Sequence, residues 1–234
     1  MRHKTAEMGE RREITYDSDR WTTLKEKRAR AVEVLEALAE RPIDAFVFGS
    51  VARGDVKPSS DVDVFIPDMV SSVPVMLSLD HLGVLGISVV QATPRSLVKA
   101  NVELEDNTTV TYPLIQPREV ELEFYRFGGS IDLIGLKNGE RSCGVDKRLM
   151  LIEPTPEGHI ETPLSDLSPG VVARKLKVGQ QIVEERLRVL ERRADVGRTG
   201  IYLNRQLAPG ETPEQVLHDL IAEDPAIRRR VESG

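Results

Sequence analysis

The sequence predicts a mixed α/β fold followed by a smaller helical carboxyl-terminal part. Three observations carry this expectation. Apolar residues recur at helical spacing from Trp21 to Glu40, short β-preferring runs alternate with turn signals between Asp44 and Leu136, and helical periodicity returns beyond Gly170. At 234 residues the chain can bury a full core as one large domain or two small ones.

In order along the chain, Trp21, Leu24, Ala31, Val34, Leu35 and Leu38 mark the first helix, which Arg41-Pro42 ends. Asp44 to Phe48 is a short buried strand stopped by Gly49-Ser50, and Ser50-Val51-Ala52-Arg53 reads as a helix start. Val56 to Ser60 is a loop and Asp61 to Ile66 a second strand. Ser72 to Leu82 is compatible with either period, Gly86 to Thr93 is a third buried strand, and Pro94 to Leu104 reads as a helix with proline in its first turn. Asn107 to Pro113 and Val120 to Leu136 are β-type, with Gly128-Gly129 as a hairpin turn between ELEFYRF and SIDLIGL. No internal repeat or low-complexity tract interrupts them.

Composition narrows the function classes. One cysteine, Cys143, excludes an internal disulfide and a cysteine zinc cluster, and MRHKTAEMGERRE lacks the apolar core of a signal peptide, so the expected location is the cytoplasm. The longest apolar candidates, around Val84 to Val90, are broken by Gly83 and Gly86 and too short for a bilayer, so no membrane partner is expected. That compartment also removes Arg53-Gly54-Asp55 as an adhesion tripeptide. A net charge of −6 argues against a coat of nucleic acid over the whole surface. His3, His81, His159 and His218 are too scattered to suggest a metal site or triad.

The densest chemistry lies in Phe46 to Ile66, FVFGSVARGDVKPSSDVDVFI. Gly49 lets the backbone approach a ligand, and free N–H groups at the helix start after it favour an anion. Side chains alternate along a strand, so Asp61 and Asp63 share one face while Val62 and Val64 point into the core. Two carboxylates on one face repel each other and suit a hard cation such as Mg²⁺. The stretch resembles the signature of the DNA polymerase beta-type nucleotidyltransferase superfamily, in which a strand, a Gly-Ser turn and an Asp-x-Asp strand form the catalytic palm. The resemblance is confined to this stretch, where Gly49-Ser50, the turn containing Arg53-Gly54-Asp55, and Ser60-Asp61 before Asp63 fall in the superfamily's places.

The resemblance implies a polymerase-beta-like palm with a mixed sheet and a metal-dependent nucleotidyl transfer. A nucleoside monophosphate would move from a nucleoside triphosphate to an acceptor hydroxyl with release of pyrophosphate. Asp61 and Asp63 would bind Mg²⁺ or Mn²⁺, and Gly49-Ser50 would hold the β- and γ-phosphates. A third carboxylate is expected on a neighbouring strand. Asp132 is the first choice, as a lone acid framed by aliphatics in FGGSIDLI; Glu123 is second and Glu121 third, on a partner strand whose polar edge gives them an alternative role. Arg53 either neutralises phosphate or pairs with Asp55, and Lys57 reads as a solvated loop residue.

The character changes after Glu153 to Gly170, a proline-rich hairpin and linker, so the expected domains are a palm over residues 1–167 and a helical domain over 168–234. Ala173, Leu176, Val178, Ile182, Val183, Leu187 and Leu190 form an apolar stripe broken at Gly179, a pattern similar to a helix-turn-helix. Val171 to Arg205 carries nine basic and four acidic residues, a net of +5, which leaves −11 for the rest. Such asymmetry fits an acidic palm joined to a module that contacts RNA or DNA, Arg198 included, or an ordinary helical hairpin with a solvated basic face. A closing helical pair, 213–222 and 225–231, starts with a Thr212-Pro213-Glu214-Gln215 cap. Two other functions stay open: a non-catalytic nucleic-acid-binding regulator on this scaffold, and a minimal transferase that modifies a protein.

Overall fold

The structure, a computed structural model, describes residues 10–196 and 200–233. In chain order the elements are β1 (Arg12–Thr15), α1 (Ser18–Ala39), β2 (Phe46–Phe48), α2 (Ser50–Arg53), β3 (Val62–Phe65), α3 (Ser72–Leu79), β4 (Val84–Gln91), β5 (Val98–Leu104), β6 (Thr108–Pro113), α4 (Glu119–Phe127), β7 (Ser130–Asp132), α5 (Leu133–Lys137), β8 (Gly144–Val145), β9 (Met150–Thr155), β10 (Gly158–Pro163), α6 (Pro169–Leu176), α7 (Gln180–Val196), β11 (Leu203–Gln206), α8 (Pro213–Glu223) and α9 (Pro225–Glu232). The architecture is mixed α/β, as the sequence predicts. Among the described residues no helix is long and apolar enough to cross a membrane.

The chain divides into two compact units, each drawn from non-contiguous segments. The first takes the described parts of Met1–Ala29, Val47–Ser60 and Leu122–Thr199; the second takes Arg30–Phe46, Asp61–Glu121 and the described part of Gly200–Gly234. Residue 168 lies inside the first unit, between β10 and α6.

The second unit is built on strands in the order β11-β4-β5-β6-β3, antiparallel except where β3 runs parallel to β6. Strand alternation splits this sheet chemically. Val98, Ala100, Val102 and Leu104 on β5, Val110 and Tyr112 on β6, and Val62 and Val64 on β3 are buried. The opposite face carries Lys99, Asn101, Glu103, Thr109, Thr111 and Asp63, with Asp63 in register with Thr109 and Thr109 with Glu103. The second half of α1 buries Ala31, Val34, Leu35 and Leu38, the i, i+3, i+4, i+7 stripe of an amphipathic helix. Thr212 and Gln215 form the reciprocal cap expected for α8, and Asp224 caps α9 through the N–H groups of Ala226 and Ile227.

The first unit holds an antiparallel sheet in the order β1-β10-β9-β8, the pair β2-β7, and the packed helices α6 and α7. Lys177 ends α6 with φ 54, and the N–H of Gly179 donates to Glu123 at 2.6 Å before α7 begins. These two helices bury Val172, Ala173, Leu176, Ile182 and Val183, in line with the apolar stripe. Arg198 and His3 lie outside the described residues.

Three expectations are corrected. Val98 to Leu104 is strand β5, not helix: Pro94 sits in a turn in which the Ser96 N–H donates to Thr93, and the period-2 burial that follows needs an extended chain. Glu119 to Phe127 is helix α4, not a strand, because Glu121 reaches back to the Arg118 N–H at 2.9 Å and Glu119 and Glu121 suit a helix amino terminus. Gly128-Gly129 is therefore no hairpin turn. A Cβ on Gly144 would lie 2.5 Å from the Gly129 nitrogen, so the segment marks a close backbone approach.

The β9–β10 turn meets β1 as tightly, since a Cβ on Gly158 would lie 1.8 Å from the Ile14 carbonyl oxygen. Gly158→Ala is expected to destabilise the protein by about 1–3 kcal/mol, read as a lower denaturation midpoint with β1 pushed off β10.

Candidate nucleotide and metal site

The glycine-serine turn is shaped by its backbone. Gly49 has φ 77, which glycine adopts without strain, and an added Cβ would meet nothing within 4 Å, so the space over it is open. Its N–H donates to the Gly129 carbonyl at 2.9 Å and its own carbonyl accepts from Arg53 at 3.0 Å. Gly54, with φ 99, closes α2 by donating to Ser50 at 2.7 Å. From α1, Arg28 donates to the carbonyls of Val51 and Ala52 at 3.2 and 3.1 Å, a cation at the carboxyl end of that single turn.

Arg53 resolves to the second of its two expected roles. Its guanidinium is buried and grips both oxygens of Asp55 at 3.0 Å, while Nη1 donates to the Gly128 carbonyl at 2.5 Å. The side chain braces the turn from beneath. Gly129, with φ 83, makes room for it, since a Cβ there would lie 2.7 Å from the Arg53 Cγ.

In the second unit the structure brings together Asp61 and Asp63. Asp61 is exposed and Asp63 half-buried beside the fully buried Val62 and Val64. Burial first, and the Asp61 charge second, raise the Asp63 carboxyl to about 6, while Lys99 pulls it down. Burial pushes the Lys99 ammonium below its ordinary value, and Asp63 and Glu121 pull it back up. Glu121 in turn accepts from Arg230 of α9 at 2.7 Å, and Arg230 also donates to the Gln116 carbonyl at 3.2 Å. Negative and positive groups thus alternate from Asp63 through Lys99 and Glu121 to Arg230.

Lys99 is the residue that the sequence reading missed. The signal was present in Val98-Lys99-Ala100-Asn101-Val102-Glu103-Leu104, whose strict alternation was overruled by Pro94. The reason for choosing Asp132 does not hold, because its side chain is exposed and engaged as the α5 cap, accepting from the Gly135 N–H at 2.8 Å. Glu121 and Glu123 stand on a helix, not a strand edge, and accept from Arg230 and Gly179. Among the described residues no three His, Cys, Asp or Glu side chains are grouped so as to hold a metal ion. Of the basic residues after Val171, Lys175 pairs with Glu153, Arg186 lies over the Phe124 ring at 5.0 Å, and Arg205 pairs with Glu211 in the second unit.

Compared with known families, residues 29–69 match the model described as nucleotidyltransferase domain. No curated protein and no solved structure matches the chain. The matching segment runs from α1 to just beyond β3 and includes Gly49, Ser50, Arg53, Asp61 and Asp63; Lys99, Asp132, α6 and α7 lie outside it.

Within the segment the acid pair has the chemistry a divalent ion requires. It offers hard oxygen donors, one exposed and one whose ionised form is disfavoured by burial and by its neighbour's charge. The raised carboxyl also has a stability consequence. A folded-state value above the unfolded one gives stability that is full below the unfolded value near 3.8 and is lost as pH rises through about 6. Asp63→Asn removes that loss. In metal-free buffer the variant should gain on the wild type by up to about 3 kcal/mol between pH 4 and pH 7, read from urea midpoints at each pH.

Proposed function

We propose that the protein is a metal-dependent nucleotidyltransferase that moves a nucleoside monophosphate from a nucleoside triphosphate to an acceptor hydroxyl and releases pyrophosphate. The observation that carries this reading is the Asp61–Asp63 pair with its raised Asp63 carboxyl, inside the segment that matches the nucleotidyltransferase family. Asp61 and Asp63 hold Mg²⁺ or Mn²⁺. When bound, the ion supplies Lewis-acid polarisation of the transferred phosphoryl group and neutralises developing charge.

The protein's own groups do the rest. Gly49 exposes its backbone to the β- and γ-phosphates, and the Ser50 hydroxyl and neighbouring N–H groups donate to them. Arg53 fixes the turn rather than touching phosphate. Lys99 sets a positive charge on the Asp63 face of the sheet, which favours the ionised carboxylate needed for metal binding. What joins the turn to the acid pair is the unbroken stretch Phe46 to Ile66. Asp132 remains the third acid implied by the resemblance, working from an exposed capping position.

We place the protein in the cytoplasm, on its single cysteine. The acceptor is a nucleic-acid 3′ hydroxyl, a protein hydroxyl or a small molecule, and the basic residues of α6 and α7 favour nucleic acid.

The test incubates the protein with each labelled triphosphate, Mg²⁺ or Mn²⁺ and a cell extract, and identifies whatever carries label. Asp61→Asn and Asp63→Asn are each expected to lower transfer by about 10²-fold or more, with the fold intact by circular dichroism. Equal labelling by wild type and both variants would sink the enzyme reading. Asp132→Asn in the same assay decides the third acid, since an exposed cap that plays no catalytic part would leave labelling unchanged.

A further inference from the structure

The first unit concentrates positive charge where the acid pair has no part. Arg20 of α1 lies over the Tyr16 ring at 4.2 Å, and Arg141 lies over the Trp21 ring at 5.1 Å and the Tyr16 ring at 5.9 Å. Tyr16 and Trp21 stack with centroids 4.9 Å apart. Gly54 admits Arg141, since a Cβ there would lie 2.7 Å from the Arg141 Cδ.

Among the described residues none of these cations makes an ion pair with an acid. Arg28 donates to the Val51 and Ala52 carbonyls, and Arg141 to the Gly158 and Thr155 carbonyls, all uncharged acceptors. The Arg20 Nε is buried without a hydrogen-bond partner, and among the described residues its side chain makes no ion pair. Two acids are near. Asp55 is held on both oxygens by Arg53, and an oxygen of Asp17 accepts the backbone N–H of Arg20. Burial and the nearby Arg141 charge push Arg28 down to about 10, so the crowding of cations carries a free-energy cost. A fold that keeps half-buried cations together without acids gains when an anion arrives. Arg20, Trp21, Arg28 and Arg141 are all part-exposed, so solvent reaches them.

We propose that Arg20, Arg28 and Arg141, with the Tyr16–Trp21 ring pair, form a binding site for a phosphate group. Guanidinium is the side chain best matched to phosphate oxygens, and the rings give an adjoining base or sugar an apolar surface. Two sources carry that chemistry: a small free phosphate species, or the backbone of a single-stranded nucleic acid. The site goes beyond the proposed transferase reaction and stands if that reading fails.

Trp21 is the single tryptophan of the chain, so its fluorescence reports the site directly. Metal-free protein in chelator is titrated with inorganic pyrophosphate and, separately, with a short single-stranded oligoribonucleotide. A saturable change in emission is expected, about tenfold weaker in Arg20→Gln, retained in the charge-keeping Arg20→Lys, and as in the wild type for Asp61→Asn, which alters only the acid pair. A response to pyrophosphate assigns a small phosphate species, and a response to the oligonucleotide alone assigns a strand. No response to either ligand, or equal binding by folded Arg20→Gln and wild type, overturns the site.

Discussion

The buried guanidinium of Arg53 is the contact on which the glycine-serine turn depends. Three of its five donors are engaged, two on Asp55 and one on the Gly128 carbonyl. The residue after that carbonyl, Gly129, accepts the Gly49 N–H, so the strap under the turn and the turn itself are tied to one Gly-Gly segment. Removing a buried charge's partner costs more than the pair's net worth, because the charge left behind stays desolvated. The glycine-serine turn and the Gly128-Gly129 segment, each with a glycine at positive φ, are therefore linked through the residue that carries this bidentate pair.

The second unit meets the same problem of buried charge by alternation. One face of its sheet is apolar and buried, and the other holds Asp63, Thr109, Thr111, Asn101 and Lys99 in adjacent rows. A carboxylate half-buried there is costly alone; Lys99 offsets it, Glu121 offsets Lys99, and Arg230 anchors Glu121. Arg230 leaves Nε and Nη1 buried without partners, so the chain of charges ends under strain at α9. Helix α9 thus bears on the electrostatics of Asp63 although it lies far from it in sequence.

Local chemistry was legible and long-range placement was not. Phe46 to Ile66 could be read because glycine, serine and alternating aspartates each impose a conformation within a few residues, and the Thr212–Gln215 cap could be read for the same reason. Val98 to Leu104 and Glu119 to Phe127 were misassigned where one local cue, a proline or an alternation of acids and aliphatics, competed with a tertiary requirement. Strand β11 gave no cue at all, because Asn204, Arg205 and Gln206 are exposed and the segment shows its strand character in its pairing with β4. Asp132 misled because aliphatic neighbours in sequence do not make an acid buried; the turn into α5 puts it in solvent as a cap.

Asp63 and the buried His159–Glu161 network respond to acid in opposite directions. Tyr16 contacts His159 at 2.6 Å, His159 contacts Glu161 at 3.2 Å, and Arg148 and Arg12 hold Glu161 at 2.6 and 2.7 Å. Burial lowers His159, and its charged partners bring Glu161 down to about 2 despite desolvation. A group depressed on folding gives stability that is present above its unfolded value and lost as pH falls through its folded value, so both loosen the first unit in acid. Asp63 has a raised value, so acid relieves it instead. On the proposed function a divalent ion would compete with the proton for this carboxylate, and a cation bound at Asp61 and Asp63 would remove the preference of Asp63 for acid while leaving the buried histidine network untouched.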